Sequence, residues 1–97
     1  MAKFHFTNKA LNDLIEIWEY TLEKWSENHE EKYYNLIMAT CLDLANNPQL
    51  GKRYDILSLN VLGYKYGEHI IFYREISKNE IEIERVLHGM MDLKNSL

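Results

Sequence analysis

Only one cysteine, one proline and four glycines occur among the 97 residues of this chain. The lone Cys41 excludes an internal disulfide and makes a reducing cytoplasm the expected compartment. It falls in an apolar helical row, where a small core residue is expected rather than a nucleophile. No apolar run approaches the ~20 residues of a membrane helix, and the opening MAKFHFTNKAL lacks the apolar stretch of a secretory signal. No membrane association is therefore expected. Positive charge is also scarce. The formal net charge is −4, with four Lys against eight Asp or Glu in residues 1–49 and seven of each sign in residues 50–97. A protein that wraps nucleic acid phosphates normally carries the reverse sign, so direct sequence-specific nucleic acid binding is not expected. Repeats, low-complexity segments and linkers are absent, and one domain spanning residues 1–97 is the expected organisation.

What is present is an ordinary globular balance, 46% hydrophobic and 27% charged. Lys3–Phe6 reads as a short strand, followed by Thr7 or Asn8 as a helix N-cap. Lys9–Trp25 places Leu11, Leu14, Ile15, Trp18, Leu22 and Trp25 at steps of three and four, one apolar stripe expected to face the core. Asp13, Glu16, Glu23 and Lys24 fall on the opposite, solvated face. After Ser26–Asn28 a capping box, Asn28 with Glu31, opens a second helix that runs to about Asn46. Its apolar face is Tyr33, Tyr34, Ile37, Cys41, Leu44 and Ala45, and Asn46-Asn47-Pro48 ends it.

Gln49–Leu59 reads as a connecting loop and Asn60–Tyr66 as a strand with Leu62, Tyr64 and Tyr66 on one face. His69–Ile76 and Ile81–Leu87 flank the polar break Ser77-Lys78-Asn79-Glu80 and form a hairpin. Alternation puts Ile70, Phe72, Arg74 and Ile76 in one row and Ile81, Ile83, Arg85 and Leu87 in another, while Val86 and His88 signal a change of face through a bulge. The order β-α-α-β-β-β gives an α+β fold: a short N-terminal strand and an antiparallel helical hairpin packed on a mainly antiparallel sheet.

Four phrases in this order carry a family resemblance: Leu14-Ile15-Glu16-Ile17-Trp18-Glu19-Tyr20, Asn47-Pro48-Gln49-Leu50-Gly51, Ile71-Phe72-Tyr73-Arg74, and Val86-Leu87-His88-Gly89-Met90-Met91-Asp92-Leu93. Over Phe6–Leu93 the chain resembles the ParE branch of the RelE/ParE superfamily of toxins in bacterial toxin–antitoxin pairs. The resemblance implies a plasmid-stabilisation type of toxin that binds DNA gyrase and is neutralised by a ParD-like antitoxin. It departs from the family at Met90, where a basic residue is common. Arg74, Arg85, His88, Met90, Met91 and Asp92 are the expected target-binding residues, and Leu22, Trp25, Tyr64, Tyr66 and Phe72 the expected antitoxin-binding residues. Open sheet edges and uncovered apolar area suit an antitoxin tail added as a strand, or as a helix laid beside the first helix.

Three other readings stand beside this one. Relatives that cut messenger RNA on ribosomes imply a nuclease in which Arg74 steadies the phosphate and His88 acts as acid or base, with Glu68 or Glu84 as partner. The acidic balance disfavours that reading, and no catalytic residue is assigned. A non-toxic partner of the antitoxin is a third class. The plainest reading has Arg74 and Arg85 paired with Glu75, Glu82 or Glu84, His88 as a turn histidine, Asp92 as a helix cap, and Met90 and Met91 packed on the sheet. His5, His29 and Cys41 have no ligand spacing, so neither metal nor cofactor is expected.

Overall fold

The computed structural model describes residues 2–24, 27–54 and 60–89, with side chains described outside residues 20–32. Strand β1 (Lys3–Phe6) leads into helix α1 (Asn8–Lys24) and helix α2 (Glu27–Asn46). A 3-10 turn (Pro48–Leu50) and the strands β2 (Lys52–Arg53), β3 (Leu62–Tyr66), β4 (His69–Ser77) and β5 (Glu80–His88) follow. The sheet order is β1-β5-β4-β3-β2. β1 runs parallel to β5, and every other pairing is antiparallel. The α+β architecture read from the sequence is therefore the observed one. It differs by β2, two residues that lie in the stretch expected to be loop.

Thr7 does cap α1: its Oγ1 accepts from the Ala10 N–H at 3.0 Å. The same hydroxyl donates to the Glu84 carbonyl at 2.8 Å, tying the helix start to β5. Asn28 is not a cap, because α2 already begins at Glu27. The β4–β5 turn places Asn79 at φ 57, a left-handed conformation that asparagine tolerates.

The helices cover one sheet face. Ala10, Leu14 and Ile17 of α1, with Ile37, Cys41, Leu44 and Ala45 of α2, pack on Ile71, Tyr73, Ile81, Ile83 and Val86. A smaller cluster, Val61, Ile70, Phe72 and Leu87 with Tyr54, lies apart from this core. Between them the register slips: Phe72 faces Arg85 but Tyr73 faces Ile83, which leaves Glu84 as the extra residue of a bulge. The expected row Ile81, Ile83, Arg85 and Leu87 is thereby split, since Val86 rather than Arg85 continues the helix-side core. The anticipated switch of face is present, one step earlier than simple alternation allows.

The expected core stripe of α1 needs a larger correction. Leu11, Ile15 and Trp18 are 45%, 56% and 38% exposed, whereas Ala10, Leu14 and Ile17 are buried. Two apolar rows with the same four-then-three spacing run side by side, and the sheet covers one of them. Cys41 is fully buried, and burial pushes its thiol up to about 12, so it is the inert core residue expected.

Tyr73 joins this core to the loop that follows α2. Its hydroxyl donates to the Pro48 carbonyl at 2.6 Å and accepts from the Gly51 N–H at 2.9 Å. A side chain at Gly51 would collide with the Tyr73 ring. Tyr73→Phe leaves both backbone groups without their partner and is expected to lower unfolding free energy by about 1–3 kcal/mol. Urea denaturation with an unchanged m-value measures it.

Candidate functional site: two surfaces flanking the first helix

The end of β5 forms one surface. Asp13, expected in solvent, is buried between α1 and β5 and accepts from Arg85 Nε at 2.7 Å, Arg85 NH2 at 3.0 Å and the Val86 N–H at 3.0 Å. The bulge makes this possible by presenting Arg85 and the Val86 amide to the helix together. The Asp13 carboxylate raises the Arg85 pKa further above its ordinary range, with Glu16 adding to the effect at longer reach. Arg85 thus pairs with Asp13, a partner on α1 that lies outside the hairpin.

Beside this pair, His69 and His88 face each other across the β4–β5 ladder. Their rings meet edge to face at 5.5 Å. Tyr33 of α2 reaches His69 Nδ1 at 2.6 Å, and His88 Nε2 lies 3.9 Å from Glu68. Burial lowers the His69 pKa below 6.5, and His88 adds to that effect while Glu68 opposes it. A cavity of about 260 Å³ is lined by Asp13, Glu16, Ile17, His69, Arg85, Val86, Leu87 and His88.

Arg74 stands elsewhere. It pairs with Glu82 toward the other end of the ladder and approaches Glu84 at 3.5 Å, one of the plain pairings expected. Glu84 is pushed up by burial and by neighbouring Glu82, with Arg74 opposing. The two residues a nuclease would need, Arg74 and His88, are not brought together. Met90, Met91, Asp92 and Trp25 lie outside the described residues, as does the side chain of Leu22.

The second surface lies on the other flank of α1. Leu11, Leu14, Ile15 and Trp18 with Tyr34 and Asn35 of α2 line an apolar groove of about 660 Å³. Trp18 and Tyr34 meet edge to face at 5.4 Å. The tyrosines expected to meet an antitoxin are not part of it: Tyr64 and Tyr66 pack on the helix-side core. Phe72 is fully buried in the smaller cluster and offers no surface.

The described residues therefore show a polar cavity and an apolar groove, with no group of three or more potential metal ligands among them. A family model described as the ParE toxin of a type II toxin–antitoxin system, parDE, matches residues 4–93. The chain belongs to the ParE toxin family. Toxin ParE1 of Mycobacterium tuberculosis is 31% identical over 96 residues, covering 99% of this chain and 98% of that protein. Toxin ParE1 of Caulobacter vibrioides is 29% identical over 97 residues, covering 100% of this chain and 99% of that one. The fold is similar to a chain of the chromosomal ParDE system from P. aeruginosa, with TM-score 0.73, 20% identity and coverage of 91% and 96%. It is also similar to a chain of the toxin–antitoxin complex RelBE2 from Mycobacterium tuberculosis, with TM-score 0.60, 22% identity and coverage of 90% and 96%. In this ParE-family chain, Asp13, Glu16, His69 and Tyr33 are not among the site residues expected from the sequence: Asp13 meets Arg85 and Val86 only across some seventy residues of sequence, and Tyr33 meets His69 across thirty-six. The groove did leave a signal, an apolar arc on α1 wider than one buried stripe.

Two outcomes follow from this geometry. Asp13→Ala strands Arg85 and the Val86 N–H, and is expected to destabilise the protein by roughly 3 kcal/mol. Asp13→Leu combined with Arg85→Met should recover most of that loss, measured as a coupling energy in a double-mutant cycle. Secondly, His69 has a folded pKa below its unfolded value, so it contributes stability above about pH 6.5 that is lost as pH falls further. Tyr33, His88 and Glu68 face the same ring. Denaturation midpoints between about pH 7 and 5 should fall for the native chain, with a flatter slope in His69→Gln.

Proposed function

We propose that this ParE-family toxin inhibits DNA gyrase by protein docking, and that a ParD-like antitoxin neutralises it through the α1–α2 groove. The observation that carries the antitoxin half is the exposed row Leu11, Ile15 and Trp18 beside Tyr34. A contiguous apolar groove on a small domain favours a covering partner, and its helical walls suit an amphipathic helix with apolar residues every three or four positions. The P. aeruginosa neighbour is a ParDE system and the M. tuberculosis neighbour a complex with an antitoxin, which supports an antitoxin as the partner. Both partners meet in the cytoplasm.

The target half rests on the family and on the polar end of β5, where Arg85 and His88 surround the cavity. Met90, Met91 and Asp92 continue the chain from that end, with Met90 in place of the common basic residue. Separation of Arg74 from His88 supports inhibition by binding over RNA cleavage. No sign of charge draws the protein to nucleic acid, since its net charge is −4.

Trp18→Glu places a charge in the groove without touching the buried stripe. It is expected to weaken binding of the antitoxin encoded beside the toxin gene by about a hundredfold, measured by calorimetry, with little change in the thermal midpoint. Purified toxin should block supercoiling, or leave cleaved plasmid, only when gyrase is present, and antitoxin should relieve the effect. Untouched gyrase turnover together with transcript cutting during translation in vitro would overturn the target assignment.

A further inference from the structure

We propose that the cavity at the end of β5 is a receptor for an arginine side chain of a protein partner. The inference rests on reading this end of β5 as a docking surface, and it names the chemistry of the group received. Formal charge in the lining is the first argument. Asp13 and Arg85 neutralise each other through two hydrogen bonds, and Asp13 Oδ2 also accepts from the Val86 N–H. Both Asp13 and Arg85 are therefore walls of the cavity. Burial and the adjacent His88 favour the uncharged form of His69. The unbalanced charge is the exposed Glu16 carboxylate, which makes no hydrogen bond or ion pair with the described residues and acts on Arg85 only at longer reach. Glu68 backs it beside His88. An incoming carboxylate or phosphate meets the wrong sign; a cation meets the right one.

Shape decides between the two basic side chains. Ile17, Val86 and Leu87 supply an apolar floor for methylene groups. The two imidazoles supply aromatic surface on which a planar guanidinium stacks, and an ammonium has no such plane. His69 is 9% exposed, and its Nε2 has no partner among the described residues. The Tyr33 hydroxyl at Nδ1 can donate or accept, so the imidazole can present a lone pair from Nε2 when a donor arrives. A guanidinium carries several donors in a fixed fork and satisfies Nε2 and Glu16 together.

Full-length protein with isotope-labelled histidine, titrated with N-acetyl-arginine methylamide, tests the assignment. The ring resonances of His69 and His88 should shift saturably, and Glu16→Gln should weaken the response by about tenfold. N-acetyl-glutamate methylamide should move neither ring. Glu16 is exposed on α1, so the variant keeps the fold, which circular dichroism checks. Absence of saturable shifts, an equal response to the glutamate compound, or undiminished affinity in Glu16→Gln overturns the proposal. In the gyrase assay Glu16→Lys should inhibit at least tenfold more weakly than the native chain. Equal inhibition overturns the receptor even where gyrase is the target. Saturable arginine binding by a chain that leaves gyrase untouched sinks the target assignment and leaves the receptor standing.

Discussion

The Asp13 carboxylate fixes where helix α1 meets the sheet. Three donors converge on it, two from Arg85 and one from the Val86 backbone, across more than seventy residues of sequence. Buried ion pairs are poor evidence of extra stability, because desolvating two charges offsets most of their attraction. Their directional demands are the stronger effect. An apolar contact at this place would tolerate sliding of α1 along β5. A carboxylate gripped by a guanidinium fork and a backbone amide does not. Thr7, bonded to the Glu84 carbonyl from the same helix start, holds the other side of the bulge.

The bulge explains why functional groups gather at one end of the hairpin. Without the bulge that takes up Glu84, strict alternation would carry Arg85 along the same row as Ile83, and Val86 would leave the helix-side core. With it, Val86 stays in that core, Arg85 reaches α1, and His88 comes opposite His69. One inserted residue thus builds a charged, imidazole-lined cavity at the edge of an apolar layer. The same strand pair keeps Arg74, opposite Glu82, at a distance from His88 at the other end of the ladder.

Legibility in the sequence divided along the range of the interactions. Helices, the β4–β5 hairpin and the burial of Ile37, Cys41, Leu44 and Ala45 follow from periodicities within a single segment, and those readings match the structure. Trp18 was misplaced because hydrophobicity says that a residue prefers cover, not that this chain alone provides it. Ala10, with its small side chain, and Ile17, next to Glu16, fall outside the expected stripe, although with Leu14 they form the part of α1 that packs on the sheet. Asp13 had the opposite history: a charged residue on a helical face reads as solvated until its partner seventy positions away is known. Lys52–Arg53 forms too short a strand for any alternation to register.

The geometry of α1 also constrains how neutralisation can work. At 3.6 residues per turn, Leu11, Ile15 and Trp18 project from one flank of the sheet-facing stripe, and Asp13 and Glu16 from the other. The exposed Asn12 and Glu19 lie on the solvent side between those flanks. A segment confined to the groove therefore leaves the β5 cavity uncovered. If the proposed target docks at that cavity, its steric exclusion requires a partner long enough to pass over the polar back of α1 as well. A partner limited to the groove would have to act by moving α1, and the Asp13 clamp opposes that motion with several kcal/mol. Exclusion by a long, wrapping segment is the less demanding route, and it suits a small domain with an apolar groove on one flank of a helix and a polar cavity on the other.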